Sequence, residues 1–146
     1  MSYKKHLSKD KVLASILKKD SHALSLQKNI PLRLMASIIS QQLSTRVAAI
    51  IFDRFVALYP AKKPTIHKVL DTPEETLRGI GISYAKIKYI YAVANFCLEH
   101  KITDKKIQEL SNEAIIELLT QIKGVGKWTV EMLLMFSLGR EDVFAV

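Results

Sequence analysis

The 146-residue chain carries 22 Lys and Arg against 14 Asp and Glu, a formal charge of +8, and half of it (49%) is hydrophobic. That length and hydrophobicity exclude wholesale disorder and suit one domain, residues 1–146, with a real apolar core. The charge favours a polyanionic partner, and the single cysteine, Cys97, excludes an intrachain disulfide or a cysteine metal cage within the chain.

Along the chain, "MSYKKHLSKDK" lacks the apolar core of a secretory signal, and "MLLMFSL" is too short to span a bilayer. No membrane partner is expected, and the protein reads as soluble and intracellular. The histidines, His6, His22, His67 and His100, are far apart and show no ligand spacing, so no metal site is expected.

Ser44 is placed to cap a helix whose apolar stripe is Val47, Ile50, Ile51, Phe55 and Leu58, with Pro60 beyond its end. "YPAKKP" follows as a polar break. In "DTPEETLRGIGIS", Thr72 as N-cap, Pro73 at the first helical position and Glu75 three residues after the cap form a start signal, and Gly79 and Gly81 stop the helix. From Ser83 a longer helix carries Ile87, Ile90, Tyr91, Ala94, Cys97 and Leu98 on one stripe. A second polar break, "HKITDKK", precedes a helix capped by Ser111 with Ile115, Leu118, Leu119 and Ile122 on its stripe. The last helix is apolar nearly all round (Trp128, Val130, Met132 through Phe136), the pattern of a helix buried inside a domain.

No stretch alternates cleanly with period two, so the fold class is all-α, a compact multi-helix domain. One faint internal echo pairs "LRGIGISYAKIKYI" with "LTQIKGVGKWTVEML", each running helix, Gly-x-Gly, helix.

The second of these carries chemistry. Gly124 and Gly126 supply the positive-φ or close-approach geometry of a tight helix-to-helix turn. Such a turn exposes backbone N–H groups just ahead of a helix N-terminus, a natural seat for a phosphate, and Lys123 and Lys127 flank it. Taken alone, the same residues also describe an ordinary αα-hairpin with glycine stops.

"LLTQIKGVGKWTVEMLLMF" resembles the helix-hairpin-helix element of the helix-hairpin-helix DNA glycosylase superfamily. "LMASIISQQLSTRVAAIIFDRF" is similar to the "ISQQLS" segment of its 3-methyladenine DNA glycosylase II branch, and "GIGISYAKIKYI" to a third family block with a lysine at Lys86. "SLGREDVFAV" resembles the segment that leads to that branch's catalytic aspartate. The likeness runs in family order from about Leu34 to Val146.

The resemblance implies a monomeric helix-hairpin-helix glycosylase domain working on double-stranded DNA with a damaged base in the cytoplasm or nucleoid (the nucleus in a eukaryote); no cofactor is expected, although the single cysteine does not exclude the iron–sulfur cluster that some sister branches carry beyond the aspartate. Such enzymes extrude the nucleotide and break its N-glycosidic bond. Trp128 matches the position where an aromatic side chain faces the base pocket, and its π face suits an electron-poor alkylated purine of the 3-methyladenine or 7-methylguanine type. Core packing is the competing reading of Trp128. Met132, one turn on, lines the pocket or joins the core. Gly124, Gly126, Lys127, Thr129, Lys123 and Lys86 are the implied DNA contacts. In "SQQLS", Gln42 is the favoured plug for the gap in the duplex, with Leu43 next; Gln41 is a further candidate, or bonds the turn backbone.

Lyase branches of the family have a lysine where this chain has Trp128, so the resemblance implies a monofunctional enzyme. The implied catalytic aspartate is not in the chain but is expected just after Val146, which leaves either a piece of a longer glycosylase, expected to be inactive on its own, or a natural short form without the chemistry. Of the acids present, Asp142 and Glu141 are expected to cap or solvate, and Glu131 to be solvated, with the pocket as its alternative. A non-catalytic helix-hairpin-helix DNA-binding module and a sister glycosylase for oxidised or mismatched bases remain as alternative functions.

Overall fold

A computed structural model describes residues 3–19 and 26–144; His22 and the last two residues of "DVFAV" lie outside them. Regular structure among the described residues is helical throughout: α1 (Tyr3–Leu7), α2 (Lys11–Lys19), α3 (Ile30–Ser40), α4 (Thr45–Ala57), a 3₁₀ turn (Pro60–Lys62), α5 (Ile66–Asp71), α6 (Glu74–Gly79), α7 (Tyr84–Glu99), α8 (Asp104–Gln108), α9 (Asn112–Leu119) and α10 (Lys127–Phe136). No helix among them is long and apolar enough to cross a membrane.

The core is organised by α7, against which α3, α5 and α6 pack. It buries Ile87, Ile90, Val93, Ala94 and Cys97, and α3 answers with Ile30, Leu34, Met35, Ile38 and Ile39. Each large aliphatic side chain so buried contributes about 1.5–3 kcal/mol, far more than the marginal propensity of an isolated 11-residue helix. The side-chain caps at Ser44, Ser83 and Ser111 form, accepting from Val47 N, Lys86 N and Ala114 N at 3.3, 3.4 and 3.2 Å.

Several expectations need correction. Thr72 does not cap α6: its hydroxyl turns back to donate to Lys68 O (2.7 Å) in α5, and the start of α6 has no side-chain cap. The break "HKITDKK" contains α8, whose Asp104 carboxylate accepts from Asn29 N (2.8 Å) and Ile30 N (2.9 Å) and so fastens the beginning of α3. Val47, Ile50, Leu58 and Leu98 leave their stripes and are more than a third exposed, because α4 and α7 each bury a narrower face than their apolar content allows.

The largest departure is α10. It is not buried all round: Val130, Leu133 and Leu134 face the core, but Trp128 is 60% and Phe136 55% exposed. With Met132 between them at i, i+4 and i+8, these residues make an apolar stripe that borders open space. A helix apolar on every face can therefore be a wall between core and cleft.

Candidate nucleic-acid interface and base cleft

Between α9 and α10 the chain turns through Gly124-Val125-Gly126. Gly124 has φ +91°, a left-handed value that favours glycine, and Val125 is buried as the anchor of the turn. Gly126 has an ordinary extended conformation (φ −94°, ψ 170°), and nothing lies within 4 Å of where its Cβ would be. The two glycines thus answer different needs, conformation at Gly124 and a bare outer surface at Gly126.

The internal echo has a register that the Gly-x-Gly pattern hides. Gly81 (φ +106°), buried Ile82 and the cap Ser83 correspond to Gly124, Val125 and the cap Gly126. At the first turn the Ser83 hydroxyl closes the helix by accepting from Lys86 N; at the second no side chain caps α10. The N–H groups of the first turn of α10 are thus left for an external acceptor, at the positive end of the helix dipole.

The flanking side chains are placed unequally. Lys123 and Lys127 are exposed, and the Lys127 ammonium is 3.5 Å from Glu131, whose carboxylate is buried rather than solvated. Thr129 departs from expectation as a DNA contact, since its side chain is buried and only its first-turn N–H is left to offer. Lys86 departs too. Its ammonium donates to Ile39 O (2.8 Å) and Gln41 O (2.7 Å), closing the C-terminal end of α3, and burial lowers its pKa.

Those bonds fix the "SQQLS" turn. Gln41 uses its amide on the hairpin, Nε2 donating to Gly124 O at 3.2 Å, so it bonds a turn backbone and is not free to act as a plug. Gln42 has φ +58°, uncommon for a residue with a side chain, and is exposed; Leu43 beside it is 36% exposed.

A cleft of about 630 Å³ opens between this turn, the start of α7 and α10, lined by Ser37, Gln41, Gln42, Lys86, Tyr89 and Trp128. Trp128 is a cleft wall, not core. Ser37 also borders a second, smaller cleft of about 150 Å³ between α3 and α10, lined by Arg33, Leu34, Thr129, Met132, Phe136 and others. Met132 belongs to this one, so the two residues expected to share a pocket line adjoining clefts. No Asp or Glu lines either cleft.

Asp142 accepts from Asn112 Nδ2 (3.0 Å), and Arg140 donates to Gln108 O (3.1 Å) and Leu110 O (3.0 Å), so the segment after α10 is tied to α8 and α9. Burial pushes the Cys97 thiol up to about 12, which removes it as a nucleophile at neutral pH. Nothing in the sequence pattern marks Tyr89 as a cleft residue. Arg33 did leave a signal, as the lone cation in the apolar run "IPLRLMASII".

With this geometry in place, residues 35–146 match the family described as "HhH-GPD superfamily base excision DNA repair protein". The chain is 42% identical over 122 residues to "DNA-3-methyladenine glycosylase 1" of Schizosaccharomyces pombe, covering 82% of this chain and 54% of that protein. It is 35% identical over 113 residues to the "Alkylbase DNA glycosidase-like protein mag2" of the same yeast, covering 75% and 53%. A solved structure of the S. pombe 3-methyladenine DNA glycosylase in complex with abasic DNA superposes with a TM-score of 0.81 at 37% identity, over 97% of this chain and 72% of that one. The chain spans about half the length of the curated relatives it matches.

Proposed function

The chain belongs to the HhH-GPD superfamily of base excision DNA repair proteins, and on that premise we propose that it grips damaged duplex DNA and flips out an alkylated purine for N-glycosidic hydrolysis. The observation that carries this reading is Trp128, an aromatic side chain 60% exposed on the wall of a cleft, across from the Gln42 turn. A purely structural tryptophan would be buried. The names of the relatives, DNA-3-methyladenine glycosylase 1 among them, support the substrate class.

The parts divide the work. The uncapped start of α10, with Gly124, Gly126, Lys123 and Lys127, seats a backbone phosphate. Gln42, held in its left-handed conformation on a turn fixed by Lys86 and Gln41, fills the gap in the duplex, with Leu43 beside it. Trp128 stacks on the extruded base, and an electron-poor alkylated ring strengthens that contact. A carboxylate must still stabilise the oxocarbenium-like sugar. Glu131 is not offered for that role, since it is buried against Lys127 and lines neither cleft.

The same pair supports a monofunctional enzyme. A Schiff base needs a free amine aimed at the sugar, and the Lys127 ammonium is directed to Glu131 instead. Residues 1–146 act as one unit, as a monomer, wherever the cell keeps its DNA. A plain phosphate-gripping module is disfavoured, because it requires neither a strained Gln42 nor a cleft beside it.

Two measurements test this. Duplex binding should weaken with salt with a log–log slope of about −3, as expected if roughly three or four phosphates are neutralised. A flat response removes the phosphate grip. Borohydride should trap no covalent protein–DNA adduct, and a trapped adduct at Lys127 would replace the monofunctional reading with a lyase.

A further inference from the structure

Three helices of the core have one end in common. α3 stops at the "SQQLS" turn, α4 starts from it, and α7 starts where Lys86 reaches Ile39 O and Gln41 O. Both α4 and α7 pack on α3, so their other ends gather at the opposite pole. At 1.5 Å per residue that pole is about 16 Å away along α3 and about 24 Å away along α7. Two contacts join the ends there. Asp104, beyond α7, accepts from Asn29 N and Ile30 N, and Pro64 and Thr65 border a cleft of about 140 Å³ with Asn29 and Pro31.

The far pole is basic. Its three turns, residues 28–29, 59–65 and 100–106, expose Lys28, Lys62, Lys63, Lys101, Lys105 and Lys106. None of these ammoniums forms an ion pair among the described residues, and the one acid in the turns, Asp104, is engaged by the start of α3. Two of the lysines stand where a side chain is least welcome. Lys101 has φ +49° and closes α7, giving its N–H to Leu98 O (3.3 Å) while Ile102 N donates to Cys97 O (2.9 Å), an arrangement that usually ends on glycine. Lys62 has φ +54° and follows Ala61 at φ +53°, in a turn closed by Lys63 N on Pro60 O (3.1 Å), where glycine and asparagine predominate. Glycine would relieve both positions, so the ammonium and not the backbone accounts for lysine there.

We propose that this pole takes the phosphate backbone of a second DNA duplex while the hairpin holds the first, so that the protein passes between duplexes without becoming free. Only the hairpin grip is taken from the reading above. The turns carry lysines and no arginine, point charges without the planar fork that suits carboxylates. They expose no aromatic side chain: Tyr59 is buried, and His100 is stacked on Phe96 with ring centroids 3.9 Å apart. A stacking platform for single strands and an aromatic hot spot for a protein are both missing from them. A duplex backbone needs only charge. Three adjoining helices at 8–10 Å spacing spread that charge over about 16–20 Å, opposite roughly ten duplex charges.

The test counts duplexes per chain. Short intact duplexes carrying donor and acceptor dyes are mixed with the wild-type chain, and energy transfer between them is read beside sedimentation of the complex. The wild type should form a complex of one chain and two duplexes, and its release of a labelled duplex should quicken at least threefold as unlabelled duplex is added. Lys62→Gly combined with Lys101→Gly should weaken the second binding step roughly three- to tenfold. It should also flatten the log–log salt slope of that step by about two, for two phosphates no longer met. The tighter step should stay within about twofold, and the melting temperature should not fall, because glycine suits both turns. Lys123→Glu combined with Lys127→Glu, on the hairpin, should weaken the tighter step and spare the other.

A wild type that holds one duplex per chain, or joins two duplexes only through two copies of itself, overturns the proposal and leaves the hairpin grip standing. So does a second step that the glycine pair leaves unchanged. Single-stranded DNA or polyglutamate that displaces the second duplex better than duplex of equal charge does would assign the pole to that partner and overturn the duplex. Should the hairpin variant keep both steps, the hairpin reading fails, and the glycine pair still decides for or against the far pole.

Discussion

Gly124 lies against Tyr89 so closely that a Cβ on the glycine would be 2.7 Å from Cδ2 and 2.8 Å from Cβ of the tyrosine. The hairpin is therefore pressed onto α7 at the residue whose carbonyl also holds Gln41. The hairpin, the "SQQLS" turn and the cleft wall share this one junction.

Gly124→Ala should cost about 2–4 kcal/mol, combining a side chain at positive φ with overpacking against the ring. In a Tyr89→Ala background the part due to the ring should vanish, while the 2.8 Å approach to the remaining Cβ and the conformational part persist. Chemical denaturation of the four proteins checks this. Full additivity would mean that the tyrosine ring adds nothing to the cost.

Gly126→Ser has the opposite character. No atom lies within 4 Å of its Cβ position, and the new hydroxyl would accept from the Thr129 N–H as Ser83 accepts from Lys86. Stability should rise by a few tenths of a kcal/mol. Duplex affinity should fall roughly three- to tenfold, because the seat is filled from within. A variant with unchanged DNA affinity would show that the uncapped turn does not meet a phosphate.

Trp128→Ala, in a form of the protein that releases alkylated base, should lower release by roughly 10- to 100-fold through lost stacking. Affinity for undamaged duplex should stay within about threefold. Because the side chain is already exposed, the melting temperature should move little. Parallel losses in release, affinity and stability would make the residue structural.

Lys86 gives a pH signature. Burial lowers its pKa from the ordinary 10.5, so just below that value the folded chain holds fewer protons than the unfolded one. Stability contributed by this group therefore rises as pH climbs through the window between the lowered value and 10.5. The gap between wild type and Lys86→Met should widen across that alkaline range, while the variant leaves Ile39 O and Gln41 O without their donor. A gap that narrows with pH would mean that the charged form is the better partner.

Much of the scaffold was legible because it obeys local rules. Ser44, Ser83 and Ser111 cap as written, and the buried faces of α7 and α9 follow their spacing at Ile87, Ile90, Ala94, Ile115 and Leu119. The misreadings concern partners distant in sequence. Nothing near Asp104 announces that it fastens Asn29 and Ile30, 75 and 74 residues away. Nothing near Lys86 announces that its ammonium is taken up by carbonyls of α3 rather than offered to DNA. Periodicity reports how apolar a face is; whether that face meets the core or a cleft depends on what packs against it, which is why α10 was read as buried.

The ion pair on the first turn of α10 has a kinetic consequence. A protein searching for one damaged base among many intact pairs must release each phosphate as readily as it takes it. Because the Lys127 ammonium rests 3.5 Å from a buried carboxylate, every phosphate it meets must compete with Glu131. On the phosphate grip proposed above, Glu131→Gln should therefore bind duplex more tightly and leave each site more slowly.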